Sequence, residues 1–181
     1  VVSVSKVSCV IGRAFGFGKR GELIVSSAES VSLGDGALFS SSTFGIGNAG
    51  NLTVNAADSV SFVNANISRN VRVGAKGDGG DIDITTDSVS LSDGAFFSSS
   101  TFGIGNAGNV TVNAADSVSL GDGTYFSSST FGIGNAGDIA VNAADSVSLV
   151  NADIFSSVGP GAQGDGGDIA ITTDSVSWSD G

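Results

Sequence analysis

Apolar and polar residues alternate along most of this chain with a period of two, which is typical of half-buried β-strands. Residues 51–55 read Asn-Leu-Thr-Val-Asn, and residues 59–62 read Ser-Val-Ser-Phe. A Gly-Asp-Gly turn at 34–36 precedes a third strand-forming run at 37–43. No stretch has the 3.6-residue period of an amphipathic helix. The pattern therefore predicts an all-β protein with three short strands in each repeating unit.

This unit returns about every 29 residues along the whole chain. The sixteen residues 47–62 return almost unchanged at 105–120 and 134–149. A fixed period of this size indicates a single solenoid in which each unit is one coil. A second period of 87 residues relates two blocks of three coils. The predicted coils are a diverged partial coil at 1–20, full coils at 21–49, 50–79, 80–107, 108–136 and 137–166, and a partial coil at 167–181.

Stacking the coils puts each strand beside its equivalent in the next coil, in parallel and about 4.8 Å away. Four positions of the unit are apolar in every coil, so we expect them to form four columns of the core. The columns are Leu23, Leu52, Ile82, Val110, Ile139 and Ile169; Val25, Val54, Ile84, Val112, Val141 and Ile171; Val31, Val60, Val89, Val118, Val147 and Val176; and Leu33, Phe62, Leu91, Leu120, Leu149 and Trp178. Because connections between parallel strands are right-handed, we predict a right-handed parallel β-helix of about six coils.

Charge is distributed unevenly along the chain, whose formal net charge is −11. Residues 1–76 carry all seven bases and a net charge of +3, whereas residues 77–181 carry fourteen acids and no base. The acidic part repels nucleic acid and anionic lipid, so we expect neither as a partner. It attracts divalent cations or the basic part of another copy, so we expect self-association, either end to end or lateral. The bases are Lys6, Arg13, Lys19, Arg20, Arg69, Arg72 and Lys76.

The chain has no apolar run of the ~18 residues that a membrane-spanning helix needs, so we expect it not to be embedded in a membrane. It does not begin with Met, and its first and last coils are partial. We therefore expect a mature piece or a segment of a longer protein.

The run at 93–120 closely resembles the repeats of large cyanobacterial exoproteins of the filamentous-haemagglutinin type. It reads Asp-Gly-Ala-Phe-Phe-Ser-Ser-Ser-Thr-Phe-Gly-Ile-Gly-Asn-Ala-Gly-Asn-Val-Thr-Val-Asn-Ala-Ala-Asp-Ser-Val-Ser-Leu. The resemblance covers residues 21–181 well and residues 1–20 weakly. It implies a right-handed β-helix, export by two-partner secretion, and an adhesive or structural role on or outside the cell surface. The secretion domain of that family is not among these residues, so export rests on the resemblance.

Five aspartates recur at the coil spacing and should form one column along the solenoid. They are Asp58, Asp87, Asp116, Asp145 and Asp174. Carboxylates about 5 Å apart repel each other by roughly 0.8 kcal/mol in a water-like dielectric, and Ca²⁺ prefers such oxygen clusters. The alternative is that each aspartate caps a turn through its own backbone. Further columns combine Asp35, Asn64, Asp93, Asp122, Asn151 and Asp180; Asn48, Asn106 and Asn135; and Asn55, Asn113 and Asn142, whose amides could hydrogen-bond along the stack.

An apolar doublet opens the third strand of four coils. It reads Leu38-Phe39, Phe96-Phe97, Tyr125-Phe126 and Ile154-Phe155. Alternate residues of a strand face opposite sides, and the resemblance favours the second of each pair as core. The first of each pair, Leu38, Phe96, Tyr125 and Ile154, is then an exposed apolar stripe, which we predict to be an association surface. The alternative is a bend that buries both residues.

The Ser-Ser-Ser-Thr runs at 40–43, 98–101 and 127–130 are predicted on the outer face, as a hydroxyl ladder that suits glycan or ice. Polysaccharide-active enzymes also use β-helices, but they need clustered acids and bases in a cleft. This chain has no His and no base after Lys76, so we predict no enzyme. We predict an extracellular structural or adhesive protein that forms a surface rod or self-assembling fibre. The alternative is a binding module for Ca²⁺ or surface glycan.

Overall fold

The structure, a computed structural model, describes residues 2–4, 9–18 and 21–180. These residues form seventeen β-strands and no helix, and all the strand pairs are parallel. Paired strands come from consecutive coils, 28 to 30 residues apart, as in Val110 with Ile82 and Val110 with Ile139. The prediction of an all-β solenoid of about six coils is therefore confirmed. Since the described residues include no helix, they contain none that is long and apolar enough to cross a membrane.

The first two strands of each coil belong to one sheet of eleven strands within the described residues. It consists of β1 (Val2–Val4), β3 (Leu23–Ser27), β4 (Ser30–Leu33), β6 (Leu52–Ala56), β7 (Ser59–Val63), β9 (Ile82–Ser92), β11 (Val110–Leu120), β13 (Ile139–Ala143), β14 (Ser146–Val150), β16 (Ile169–Thr172) and β17 (Ser175–Ser179). The third strands form a second sheet of six. It consists, in spatial order, of β2 (Cys9–Ala14), β5 (Leu38–Thr43), β8 (Asn66–Ser68), β10 (Phe96–Ser98), β12 (Tyr125–Thr130) and β15 (Asp153–Val158).

Two coils depart from the three-strand prediction, because their first two strands run on as the single strands β9 and β11. At the corner between these two strands, the coil at 80–107 reads Thr85-Thr86-Asp87, where most coils have four residues. β11 has four residues at this corner, one more than β9, and the additional residue forms a bulge against β9 between Ala114 and Ser117.

The four predicted core columns are confirmed, because every consecutive pair in them is in register. In the middle coils these side chains are almost completely buried. The exposed members Ile169, Val176 and Trp178 belong to the last described coil, beyond which no described coil covers them. Parts of the diverged first coil also stack as predicted, since Val2 pairs with Val31 and Phe17 bridges to Ile46.

A fifth inward column comes from the smaller sheet. It consists of Val10, Phe39, Ile67, Phe97, Phe126 and Ile154. The prediction that Phe155 is core and Ile154 is exposed was wrong: Ile154 pairs with Phe126 and packs against the core, and Phe155 faces outward. The turn before β15 is one residue shorter than the turn before β12, and a shift of one residue exchanges the two faces of a strand.

Candidate functional site

The predicted aspartate column is present, and all five of its side chains are exposed. Backbone bonds join its levels; for example, the Asp145 N–H donates to the Asp116 carbonyl at 2.8 Å. No side-chain hydrogen bond of these five aspartates is found among the described residues, so the expected capping bonds are not seen. Nor does any group of three or more His, Cys, Asp or Glu side chains in the described part of the chain have a metal-holding arrangement.

The other Asp/Asn column lies at tight turns before the third strands, and its backbone explains its composition. Asp35, Asn64, Asp93 and Asn151 have φ between 49° and 54°. This left-handed region is tolerated best by Gly, Asn and Asp. These residues are therefore selected by turn geometry.

A side-chain ladder that was predicted only in part joins the coils at one corner. In each coil a side-chain oxygen accepts from the backbone N–H of the equivalent residue in the next coil. The bonds join Asn48 Oδ1 to Asp78 N (3.0 Å), Asp78 Oδ1 to Asn106 N (2.9 Å), Asn106 Oδ1 to Asn135 N (2.9 Å), and Asn135 Oδ1 to Asp165 N (3.0 Å). The predicted column of Asn48, Asn106 and Asn135 thus bonds along the stack mainly to backbone groups, and Asn48 Nδ2 also donates to Asp78 Oδ2 at 3.4 Å. Asn142 Nδ2 and Asn113 Oδ1, 2.9 Å apart, do form the predicted amide-to-amide bond.

A second ladder of the same kind runs three residues further on. It joins Asn51 Oδ1 to Asp81 N (3.0 Å), Asp81 Oδ1 to Asn109 N (2.8 Å), Asn109 Oδ1 to Asp138 N (2.8 Å), and Asp138 Oδ1 to Asp168 N (2.8 Å). All eight bonds have the same direction: the accepting side-chain oxygen lies in one coil, and the donating backbone N–H lies in the next coil. A signal for this ladder was available in the sequence, because an Asn or Asp follows the first glycine of every coil from residue 50 onward.

The prediction that the hydroxyl ladder is exposed was wrong, since Ser99, Ser100, Ser128 and Ser129 are all buried. One serine of each run instead holds the corner of its coil. Ser128 Oγ accepts from the N–H of Gly137, the first residue of the next coil, at 3.0 Å and donates to the carbonyl of Gly108, the first residue of its own coil, at 2.6 Å. Equivalent bonds are made by Ser41 with Gly50; by Ser99 with Gly108 and Gly80; and by Ser156 with Gly167 and Gly137.

Arg69 occupies the serine position in the coil at 50–79, between Ser41 and Ser99 in register. The side chain is almost completely buried, at 1% exposure. It lines a cavity of about 200 Å³ together with Glu22 and Ser41. The strand pattern gave no signal for this buried arginine, because it lies in the coil that differs most from the others.

The predicted association stripe is present only in part. Leu38, Phe96 and Tyr125 are half-buried on the outer face, and Asn66 separates the first two. The Tyr125 ring stacks on Phe96 at 4.9 Å, and burial raises the pKa of its hydroxyl above the ordinary 10.0. Ile154, as described above, points inward.

A more exposed apolar surface lies at the corner that follows the smaller sheet. We call it the corner stripe, and it has two columns: Phe15, Phe44, Phe102 and Phe131; and Phe17, Ile46, Ile104 and Ile133. Phe15 stacks on Phe44 with ring centroids 4.9 Å apart, and Phe102 stacks on Phe131 at 5.0 Å. The strand pattern gave no signal for this surface, because these segments lie outside the three predicted strands.

A shallow groove of about 670 Å³ is lined by residues of five coils beside the aspartate column. Its lining consists mainly of Ala, Thr and Asn side chains, with Asp87 as its one carboxylate. A separate group of acids lies on the larger sheet around Asp83. Burial, reinforced by the nearby Asp81 and Glu22, raises the pKa of Asp83 despite a hydrogen bond with Thr111.

Comparisons with protein-family models, curated proteins and solved structures returned no match. The fold and its ladders define the chain as a β-solenoid repeat protein.

Proposed function

We propose that this chain is the repeat region of an extracellular structural or adhesive protein, forming a rod on the cell surface or a self-assembling fibre. The main support for this proposal is what the polar side chains of the chain bind. The two Asx ladders and the serine bonds all join one coil to the next. Side chains arranged in this way serve stacking, which is the property that a rod requires.

The resemblance to filamentous-haemagglutinin-type exoproteins supports the location. Those proteins present β-helical rods outside the cell, and this chain has the same alternation of strand and glycine corner. We propose export and a place outside the cell or on its outer surface for the same reason. We propose no catalytic role, because the chain has no His and most of its acids occupy turn columns and ladders.

Immunogold labelling of intact cells of the source organism, with an antibody against residues 21–180, tests the location. Label on the outside of unpermeabilised cells is expected, and label only after permeabilisation contradicts the proposal. Electron microscopy and fibre diffraction of the purified protein test the form. Rods or fibres with an axial repeat of about 4.8 Å are expected, and amorphous or globular particles contradict a rod.

A Ca²⁺-binding module is the second candidate, favoured by the five exposed carboxylates at coil spacing. If Ca²⁺ binds this column, adding it should raise the unfolding temperature and EDTA should reverse the rise. Asp116→Asn with Asp145→Asn should abolish the effect, whereas Asp122→Asn, outside the column, should preserve it. An unfolding temperature that neither Ca²⁺ nor EDTA changes rules this candidate out. A glycan site has less support, because the predicted hydroxyl ladder is buried.

A further inference from the structure

The corner stripe is an exposed apolar surface that the stacking of coils does not explain. Seven of its eight side chains are exposed, by 38% for Phe44 to 89% for Phe17, and Phe102 is half-buried. At about 200 Å² per large side chain, the seven present roughly 780 Å² to solvent. The largest patch on a typical monomer covers about 300–600 Å². The stripe therefore has the size of one side of a standard interface, about 800 Å² per partner.

The stripe is held rigidly by the coils beneath it. Backbone bridges link Phe17 to Ile46, and Ile104 to Ile133. The glycine between the two columns cannot be replaced, since a Cβ on Gly132 would lie 2.0 Å from the Gly103 carbonyl oxygen. A surface fixed in advance loses little conformational entropy when a partner covers it.

The ring stacking decides which kind of partner fits. Phe102 and Phe131 are almost parallel, with 8° between their planes, so their facing sides are occupied by each other. Sugars stack on ring faces, and a ladder of this kind presents mainly ring edges. Phenylalanine ring edges next to isoleucine side chains form an apolar surface that packs well against the apolar surface of another protein.

The coil at 50–79 contributes two basic residues to the stripe in place of apolar ones. These residues favour one relative direction of a second copy. Arg72 lies between Phe44 and Phe102, and its guanidinium carbon is 5.7 Å from the Phe44 ring centroid. Lys76 lies between Ile46 and Ile104. Two copies packed in parallel and in register would place these cations against their own equivalents. An antiparallel pair would place them against Phe102 and Ile104 of the other copy, where no like charge opposes them.

The charge along the chain favours the same arrangement. Arg13 lies near one end of the stripe, and the exposed Asp153 and Asp165 lie near the other. An antiparallel pair brings the more basic end of each copy beside the acidic end of the other, whereas a parallel pair brings like charges together. A two-fold axis then makes the stripe self-complementary, with Ile46 of each copy facing Ile133 of the other.

We propose that the corner stripe is the contact through which a second copy of this chain binds, side by side and antiparallel. The inference rests on the proposed structural role and specifies the face and direction of lateral association.

Sedimentation velocity over a concentration series tests the face. The unsubstituted chain should form dimers, and Phe102→Asp with Phe131→Asp should weaken dimerisation at least about 30-fold. Ile24→Asp with Val150→Asp adds the same charge at exposed positions of the larger sheet and should leave the dimer unchanged. Leu38→Asp tests the predicted association stripe and should also leave it unchanged. A chain that is monomeric at about 1 mM, or a dimer lost only in the Leu38 variant, overturns the inference.

Cross-linking tests the direction and does not depend on how well the Asp variants fold. Ile46→Cys and Ile133→Cys are made separately with the one native cysteine, Cys9, replaced by serine. A bismaleimide that spans the roughly 10 Å between packed faces is then added. Cross-linked dimers in a mixture of the two variants, and in neither alone, support the antiparallel pair. Cross-linking of the Ile46 variant alone, or none in the mixture, overturns it.

The two proposals fail in different ways. If the chain is a monomer in solution and cells are labelled on the outside, the lateral contact is refuted and the proposed surface role stands. If the chain dimerises through the corner stripe and label is found only inside cells, the surface role is refuted and the lateral contact stands.

Discussion

The replacement Ser128→Ala tests whether the buried serines hold the coils together. Ser128 is fully buried, and its Oγ accepts from the Gly137 N–H at 3.0 Å and donates to the Gly108 carbonyl at 2.6 Å. Alanine removes the oxygen that serves both backbone groups. The space left by one oxygen atom is too small to admit a water molecule in its place. Both groups then lose this partner inside the protein.

The expected cost follows from these two bonds. A typical intramolecular hydrogen bond contributes about 1 kcal/mol to net stability, and an unsatisfied buried donor costs about 1–3 kcal/mol. Ser128→Ala should therefore lower the free energy of unfolding by about 2–3 kcal/mol. This is a large share of the roughly 5–15 kcal/mol that stabilises a natural domain.

Urea unfolding followed by circular dichroism measures this loss, with Ser119→Ala as the matched control. Ser119 lies on β11 with its side chain exposed, so its replacement should change stability by less than about 0.5 kcal/mol. If the Ser128 variant is as stable as the Ser119 variant, the two buried bonds contribute nothing and the reasoning is refuted.

Three further predictions concern backbone geometry and ionisation. Gly134→Ala should cost about 3 kcal/mol or more in urea unfolding, because φ is +142° and the new Cβ would lie 2.1 Å from the Gly105 carbonyl oxygen. Gly161→Ala, at φ +79° with open space around it, isolates the backbone strain and should cost about 1 kcal/mol. Asp83→Asn should raise the melting temperature at pH 7. The raised pKa of Asp83 means that its ionisation destabilises the fold, so the gain should vanish below the ordinary value of 3.8. The single tyrosine, Tyr125, should titrate above 10.0 in the folded protein by ultraviolet absorbance, and stability should fall as the pH rises through that raised pKa.

Each of these predictions has a result that contradicts it. Equal losses for the Gly134 and Gly161 variants would mean that the coils separate easily to admit a methyl group. A lower melting temperature for Asp83→Asn at pH 7 would mean that the charged carboxylate stabilises the sheet. A Tyr125 midpoint that is the same with and without denaturant would mean that the ring is fully solvated.

Most of the fold could be predicted because its signal is repeated in every coil. Four positions are apolar at every level, and stacking at a fixed spacing is the only arrangement that buries all of them together. The error at Ile154 has a local cause. The turn at 150–153 is one residue shorter than the turn at 121–125, and a period of 29 averaged over the chain hides that difference.

The surfaces could be predicted less well, because exposure depends on where corners bend. The Phe-Gly-Ile-Gly segments lie outside the three strands and follow no strand pattern, yet they carry the exposed rings of Phe44 and Phe131. The Ser-Ser-Ser-Thr runs are polar and were assigned to the outside, yet their hydroxyls are needed inside by the glycine corners. Arg69 is hidden in the coil that differs most from the others, where no repeated pattern applies.

The common direction of the Asx ladders gives every coil two chemically different faces. The face toward the next coil offers side-chain oxygens, and the face toward the preceding coil offers backbone N–H groups. Each face also carries backbone groups of both kinds, but two faces with Asx oxygens, or two without them, cannot continue the ladders. The ladders therefore continue only where coils join head to tail, and a stack joined in this way has a polarity, as an actin filament or a microtubule has. Antiparallel pairing of two such stacks would cancel that polarity and produce an assembly whose two ends are alike.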